Sequence, residues 1–186
     1  MLNIRQSGEK IDIKGSKVYY VVLLLFYVGG IVGMSWVLKE GLTFSSAFSL
    51  IWIAGGVILL PILIYLFIWF IPGLLPGKTI VSLVQGPNGY MKTKAGNVPF
   101  SEIKDAELRR NGFTLINSLV IITRDGKQYR VLTYNLIGEN DVSIMVDQYV
   151  YPYMTPESKA AWDKKVNLDH LFEIARYKRD DQSSKM

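Results

Sequence analysis

The side chains in this 186-residue sequence that could do chemistry are few, and their spacing argues against most reactions. The single histidine, His170, lies in Asn167-Leu168-Asp169-His170-Leu171 on a predicted helix, with no cysteine anywhere to join it in a zinc site. Hydrolysis by a Ser/His/Asp set would need His170 as base, yet no serine stands in a G-x-S-x-G elbow. Gly86-Pro87-Asn88-Gly89 runs into a strand pattern, not into a helix whose N-terminus could hold a phosphate. The carboxylate pairs Glu139/Asp141 and Asp180-Asp181 fall at a helix start and in a polar tail, where the helix dipole and solvation account for them. Zero cysteines removes disulfides and thiolate nucleophiles as well. The expectation is a non-enzymatic chain without catalytic residues, metal or cofactor.

The remaining candidates are basic. Lys92 with Lys94, and Lys104 with Arg109 and Arg110, are of the type that contacts lipid phosphates or a partner's acidic groups. The net charge of +5 does not point to nucleic acid, because no dense basic run is interleaved with aromatics. From Lys78 onward sixteen Lys/Arg stand against thirteen Asp/Glu, an evenly spread balance.

What must position these residues is dominated by Ala47 to Ile71, twenty-five residues whose only ionisable side chain is Tyr65. At 1.5 Å per residue they make a helix of roughly 37 Å, longer than about 30 Å of hydrocarbon. Val18 to Leu38 is a second uncharged block, and neither has the polar face of a soluble helix. The first block is long for a signal peptide and lacks a small-x-small site before Lys39, so retention as an anchor is expected. Positive charges flank the pair on one side: Arg5, Lys10, Lys14 and Lys17 before it, Lys78, Lys92 and Lys94 after it, with only Lys39 between. The positive-inside rule then places both termini in the cytoplasm, in a multi-pass protein of the inner (plasma) membrane. Tyr19, Tyr20 and Trp69 mark the inner interface, Trp36 and Trp52 the outer one. Gly29, Gly30 and Gly33 on the first helix and Gly55 and Gly56 on the second are expected to form the helix–helix contact; a homo-oligomer through the same face is the alternative. Pro61 should kink the second helix. No charge lies within either span, which argues against a proton relay or ion path.

After Ile71-Pro72-Gly73-Leu74-Leu75-Pro76-Gly77 the period changes. Strands are predicted at 78–84, 90–94, 98–100, 103–110, 113–123 and 129–133, the last two joined by Arg124-Asp125-Gly126-Lys127, a strong hairpin signal. Val142, Met145, Val146, Tyr149, Val150 and Tyr153 then follow a helical period ended by Pro152. Thr155-Pro156-Glu157 reads as cap, first-turn proline and first-turn acid of a helix to about Val166, with a third over 168–177 and a disordered tail from Lys178. Tyr149, Tyr151, Tyr153 and Trp162 are read as core. The domains are thus 1–17, a cytosolic tail despite the alternation Lys10-Ile11-Asp12-Ile13-Lys14 that could add an edge strand; 18–77, a transmembrane hairpin; 78–154, a β domain with capping helix; and 155–186, a helical extension and tail. The fold class is α+β.

Certain local motifs resemble the uncharacterised bacterial two-span membrane proteins that carry a pleckstrin-homology-like (PH-like) cytosolic domain. They are Ile13-Lys14-Gly15-Ser16-Lys17 before the first span, Gly89 opening the second strand, Val98-Pro99-Phe100-Ser101-Glu102-Ile103 (where such proteins tend to read I-P-W-x-D-I) and the Asp-Gly hairpin. The resemblance covers residues 11 to about 150 and implies a curled antiparallel barrel capped by a helix; the helices after Tyr153 depart from its minimal pattern. It supplies no catalytic residues. The function expected is a membrane-embedded protein whose cytosolic domain binds a protein, as a toxin-immunity factor or an envelope adaptor would. An anionic-lipid sensor is the alternative.

Overall fold

A computed structural model describes residues 3–75 and 77–179. Two long helices, α1 (Lys17–Leu42) and α2 (Ser49–Phe70), lie antiparallel and are long and apolar enough to cross a membrane. α2 continues through Pro61 and closes in a short 3-10 turn at Ile71–Gly73. Gly30 of α1 faces Leu63, and Gly56 of α2 faces Leu38 so closely that a methyl there would come within 2.7 Å of the leucine Cβ. Toward the chain ends Tyr27 stacks on Phe67 and Phe70, and the Tyr20 hydroxyl donates to the Leu74 carbonyl at 2.9 Å.

Residues 3–14 are not a tail. They form a hairpin of β1 (Asn3–Ser7) and β2 (Lys10–Lys14), turned at Gly8 in the left-handed region, and β2 pairs antiparallel with β3 (Thr79–Val84). Ile11 and Ile13 point into the core while Lys10, Asp12 and Lys14 carry the charge, the alternation a half-buried strand needs. The helical hairpin is therefore an insertion between two neighbouring strands, Lys14 opposite Thr79, so both of its ends are fixed to one sheet. The domain boundaries at 17 and 78 give way to a domain assembled from both sides of the helices.

β3 continues to β4 (Tyr90–Thr93) and β5 (Gly96–Pro99), completing a sheet in the order β1-β2-β3-β4-β5. Gly89 is required by close approach. A Cβ there would meet the Phe100 ring at 2.7 Å and the Val84 carbonyl at 2.9 Å, and its own carbonyl accepts the Phe100 N–H. A second antiparallel sheet holds β6 (Ile103–Arg110), β7 (Asn117–Thr123) and β8 (Gln128–Leu132). The β7–β8 turn has Gly126 at φ +80°, as its Asp-Gly sequence demands. β7 starts later than the apolar run from Phe113 suggests, because the Asn111 side chain accepts the N–H groups of Phe113 and Thr114 and bends 111–116 into a turn.

Ile11, Ile13, Val81, Leu83, Met91, Val98, Ile103, Leu119 and Ile121 from the two sheets share one buried cluster. It is closed by α3 (Glu139–Met145), whose Val142 and Met145 are continued by Val146 and Val150 on a π-helical stretch, Val146–Val150, before a 3-10 turn at Tyr151–Tyr153. Trp162 is buried, and Tyr149, Tyr151 and Tyr153 pack half-buried on the cluster. Tyr27 and Phe70 of the long helices belong to the same cluster, so helices and domain share a core. Tyr134 and Leu136 form the wedge between them: a methyl on Gly73 would come within 2.6 Å of Tyr134 Cβ, and one on Gly15 within 2.6 Å of Leu136 Cβ. α4 (Pro156–Lys165) starts at Thr155, whose Oγ1 accepts the Ser158 N–H, and α5 (Leu168–Ala175) starts at Asn167 and ends with Arg176 in the left-handed region. Of the expected disordered tail, Lys178 and Arg179 are placed; residues 180–186, with the Asp180-Asp181 pair, lie outside the described residues.

Candidate functional site

The five basic residues singled out in the sequence do not form one patch. Lys92 on β4 and Lys94 in the turn just after it join Lys78 in a cleft of about 350 Å³ beside Ser82, Val131 and Tyr134. Lys78 is committed locally, donating to the Pro72 carbonyl with its ammonium 4.0 Å from the centre of the Tyr134 ring. Lys104, Arg109 and Arg110 stand on β6, in the other sheet. Arg109 pairs with Glu107 and donates to Gln128 Oε1 at 3.3 Å. Arg110, the next residue in the strand, projects the other way.

The helix-packing set also divides. Gly30 and Gly56 lie in the α1–α2 contact, whereas a Cβ on Gly29, Gly33 or Gly55 would meet nothing within 4 Å. Each residue turns a helix by about 100°, so only one of two adjacent glycines can face the partner. Gly41, against Ile53, is a contact the sequence reading missed.

A second groove, about 380 Å³, runs between β6, α3 and the α4–α5 pair. Ala106, Leu108, Val142 and Leu171 give it an apolar floor, and Glu107, Glu139, Asn140, Lys165 and His170 give it a polar rim. His170 is exposed there and serves the fold through its backbone N–H, which donates to Asn167 Oδ1. Lys165 bonds both oxygens of Asp105, at 2.7 and 2.8 Å, and so ties α4 to β6 along one wall. Glu139 and Asp141 occupy the first turn of α3, where carboxylates favour the helix dipole. Among the described residues no three of His, Asp or Glu converge on a point where a metal ion could sit. The groove thus combines an apolar floor with a rim that carries both signs of charge.

Behind this groove lies a buried charge cluster, which the sequence reading did not find. Asp147, fully buried on the π-helical stretch, accepts the Trp162 indole N–H at 2.9 Å, the Tyr177 hydroxyl at 2.8 Å and the Arg179 guanidinium. Arg179 also reaches Asp163 and stacks 4.0 Å from the centre of the Tyr151 ring. The available signal was an aspartate set directly beside Val146 in an otherwise apolar helical stripe.

Two antiparallel sheets closed by a helix, built around an inserted apolar helical hairpin, define an α+β protein with a membrane-associating element. The chain belongs to a family of unknown function, DUF5381, whose model matches residues 9–172. It is 30% identical over 162 residues to a Bacillus subtilis protein named as the uncharacterised lipoprotein YfjD, covering 84% of this chain and 88% of that one. It is 27% identical over 130 residues to the uncharacterised protein YfjE of the same organism, covering 67% of this chain and 86% of the relative. No solved structure matches it.

Proposed function

We propose that this is a non-enzymatic multi-pass protein of the bacterial plasma membrane whose cytosolic PH-like domain holds a protein partner in the groove between β6, α3 and α4–α5. Two observations support the membrane half: both long helices carry their apolar side chains exposed over almost their whole length, and one relative is named a lipoprotein. On this reading the two helices, long and apolar enough to cross a membrane, provide the attachment. The PH-like reading rests on two antiparallel sheets followed by a helix that closes their shared core.

The observation that carries the partner reading is the groove itself, apolar at its floor, charged on both signs at its rim and walled by elements locked to one another. A toxin neutralised at the membrane or an envelope component are the classes of partner this suits. A photocrosslinker at Ser143, inside the groove, should give one discrete stoichiometric adduct in membranes, lost on Leu108→Asp; the same crosslinker at Lys94, in the β4–β5 turn of the other sheet, should not. Equal labelling from both positions would overturn the reading.

A further inference from the structure

We infer that the β6–β7 turn, residues 111–116, is a second membrane contact: Phe113 seats in the interface of the inner leaflet and Arg110 pairs there with lipid phosphate. This rests on the spanning reading of α1 and α2 and adds to it a surface of the folded domain. Phe113 is 87% exposed, the most exposed large apolar side chain among the described residues outside or inside the helical hairpin. It is held out deliberately. Asn111 Oδ1 accepts the N–H groups of both Phe113 and Thr114, the Leu115 N–H returns to the Asn111 carbonyl, and Leu115 sits at φ +55°, a conformation a leucine adopts only when its surroundings impose it. A turn this constrained presents its tip side chain as a fixed feature.

Its position is set by Asn135. Asn135 donates to the Leu115 carbonyl at 3.0 Å and accepts the Asn117 N–H at 2.7 Å, and its neighbours Tyr134 and Leu136 are wedged against Gly73 and Gly15 where the helices leave and enter the domain. The turn thus lies at the helix-bearing end of the domain, while the β7–β8 turn around Lys127 is at the opposite end of the same strands.

The depth agrees. Counted from Trp36 and Trp52 at the outer interface, about 30 Å of hydrocarbon at 1.5 Å per residue ends roughly twenty residues along, near Lys17 on α1 and Pro72 just after α2. That is the level of Gly15 and Gly73, where Leu136 and Tyr134 are wedged against the chain. An aromatic ring next to a cation at this level matches an interface that is apolar below and anionic above. Arg109, already engaged by Glu107, is the lesser contributor of the two arginines.

The absence of native cysteine allows a single environment-sensitive label to report on each site in the full-length protein in vesicles containing anionic lipid. A label at Thr114→Cys, with Phe113 intact, should show blue-shifted emission quenched by a nitroxide lipid carrying its spin near the headgroup. A label at Lys127→Cys should remain in water, and Phe113→Asp or Arg110→Glu in the Thr114→Cys background should return its emission toward the aqueous value. A label at Val32→Cys monitors the spans separately. If Val32 reports lipid and Thr114 reports water, the inference fails while the spanning reading stands; if Val32 also reports water, both fail.

Discussion

The indole N–H of Trp162 donates to Asp147 at 2.9 Å, joining α4 to the π-helical stretch that closes the core, and Asp147 has no exposed side-chain surface. A carboxylate so placed is tolerable only because Trp162, Tyr177 and Arg179 all donate to it. The same bonds push the Arg179 guanidinium further into its charged form. Asp147→Ala strands the Trp162 N–H and releases the last described residues, while Arg179, partly exposed, can turn to water. The expected loss is about 3 kcal/mol, read as a fall in melting temperature of about 6–12 °C in detergent. An unchanged melting temperature would remove this cluster from the account of stability.

The N-terminal hairpin gives the second prediction. Ile13 is fully buried between β1 and β3, in a strand whose register is Ile13 opposite Val81. Ile13→Ala should cost about 2–5 kcal/mol, whereas Lys14→Ala, on the solvent side of the same strand, should stay within about 0.5 kcal/mol. Equal effects would mean that residues 3–14 are the loose tail their polarity suggests.

That segment shows where sequence reasoning stops. The Asp-Gly turn and the Thr155 cap follow from local signals of a few residues, and the structure has them at those places; the two apolar helices are there as well, although α1 runs on to Leu42, past the expected end at Leu38. Lys10–Lys14 carries the correct alternation, but its partner β3 lies about 65 residues away across the helices, and no local pattern encodes that pairing. The division of the glycines and of Arg109 from Arg110 was hidden for a related reason. Residue type and spacing name the candidates, and only a packed neighbour decides which of two adjacent side chains faces it. Asp147 was concealed by its own helix, since its donors come from residues 162, 177 and 179.

Acid should act on the β7–β8 turn. Asp125 takes hydrogen bonds from Lys127 and Thr123, which lower its pKa to about 2. A carboxyl whose folded pKa is depressed contributes its stabilisation above the ordinary value near 4 and loses it as pH falls toward 2. Carboxyl resonances followed by NMR should show Asp125 titrating near pH 2 with the turn's amide shifts moving in the same step. In Thr123→Val the midpoint should rise toward the ordinary value. A midpoint near 4 in the unaltered protein would mean the turn's side-chain bonds do not persist in solution.

The helix glycines separate two uses of the same residue type. At Gly56 a Cβ would lie 2.7 Å from Leu38 Cβ and 3.2 Å from its Cα, and at Gly30 one would lie 3.2 Å from Leu63 Cδ1, so side chains at either position force α1 and α2 apart. Gly29 and Gly33 have open space on their Cβ side. Gly56→Leu should therefore lower the melting temperature in detergent by several degrees, the signature of overpacking by about 1–3 kcal/mol, and Gly30→Leu should do so less, because only a flexible leucine tip need yield. Gly29→Leu and Gly33→Leu should leave the melting temperature unchanged or slightly raised, since they remove glycine from a helix interior without a clash. Should Gly33→Leu destabilise while Gly56→Leu does not, the two helices would have to be rotated about their axes relative to the packing described, with Gly29 and Gly33 turned inward.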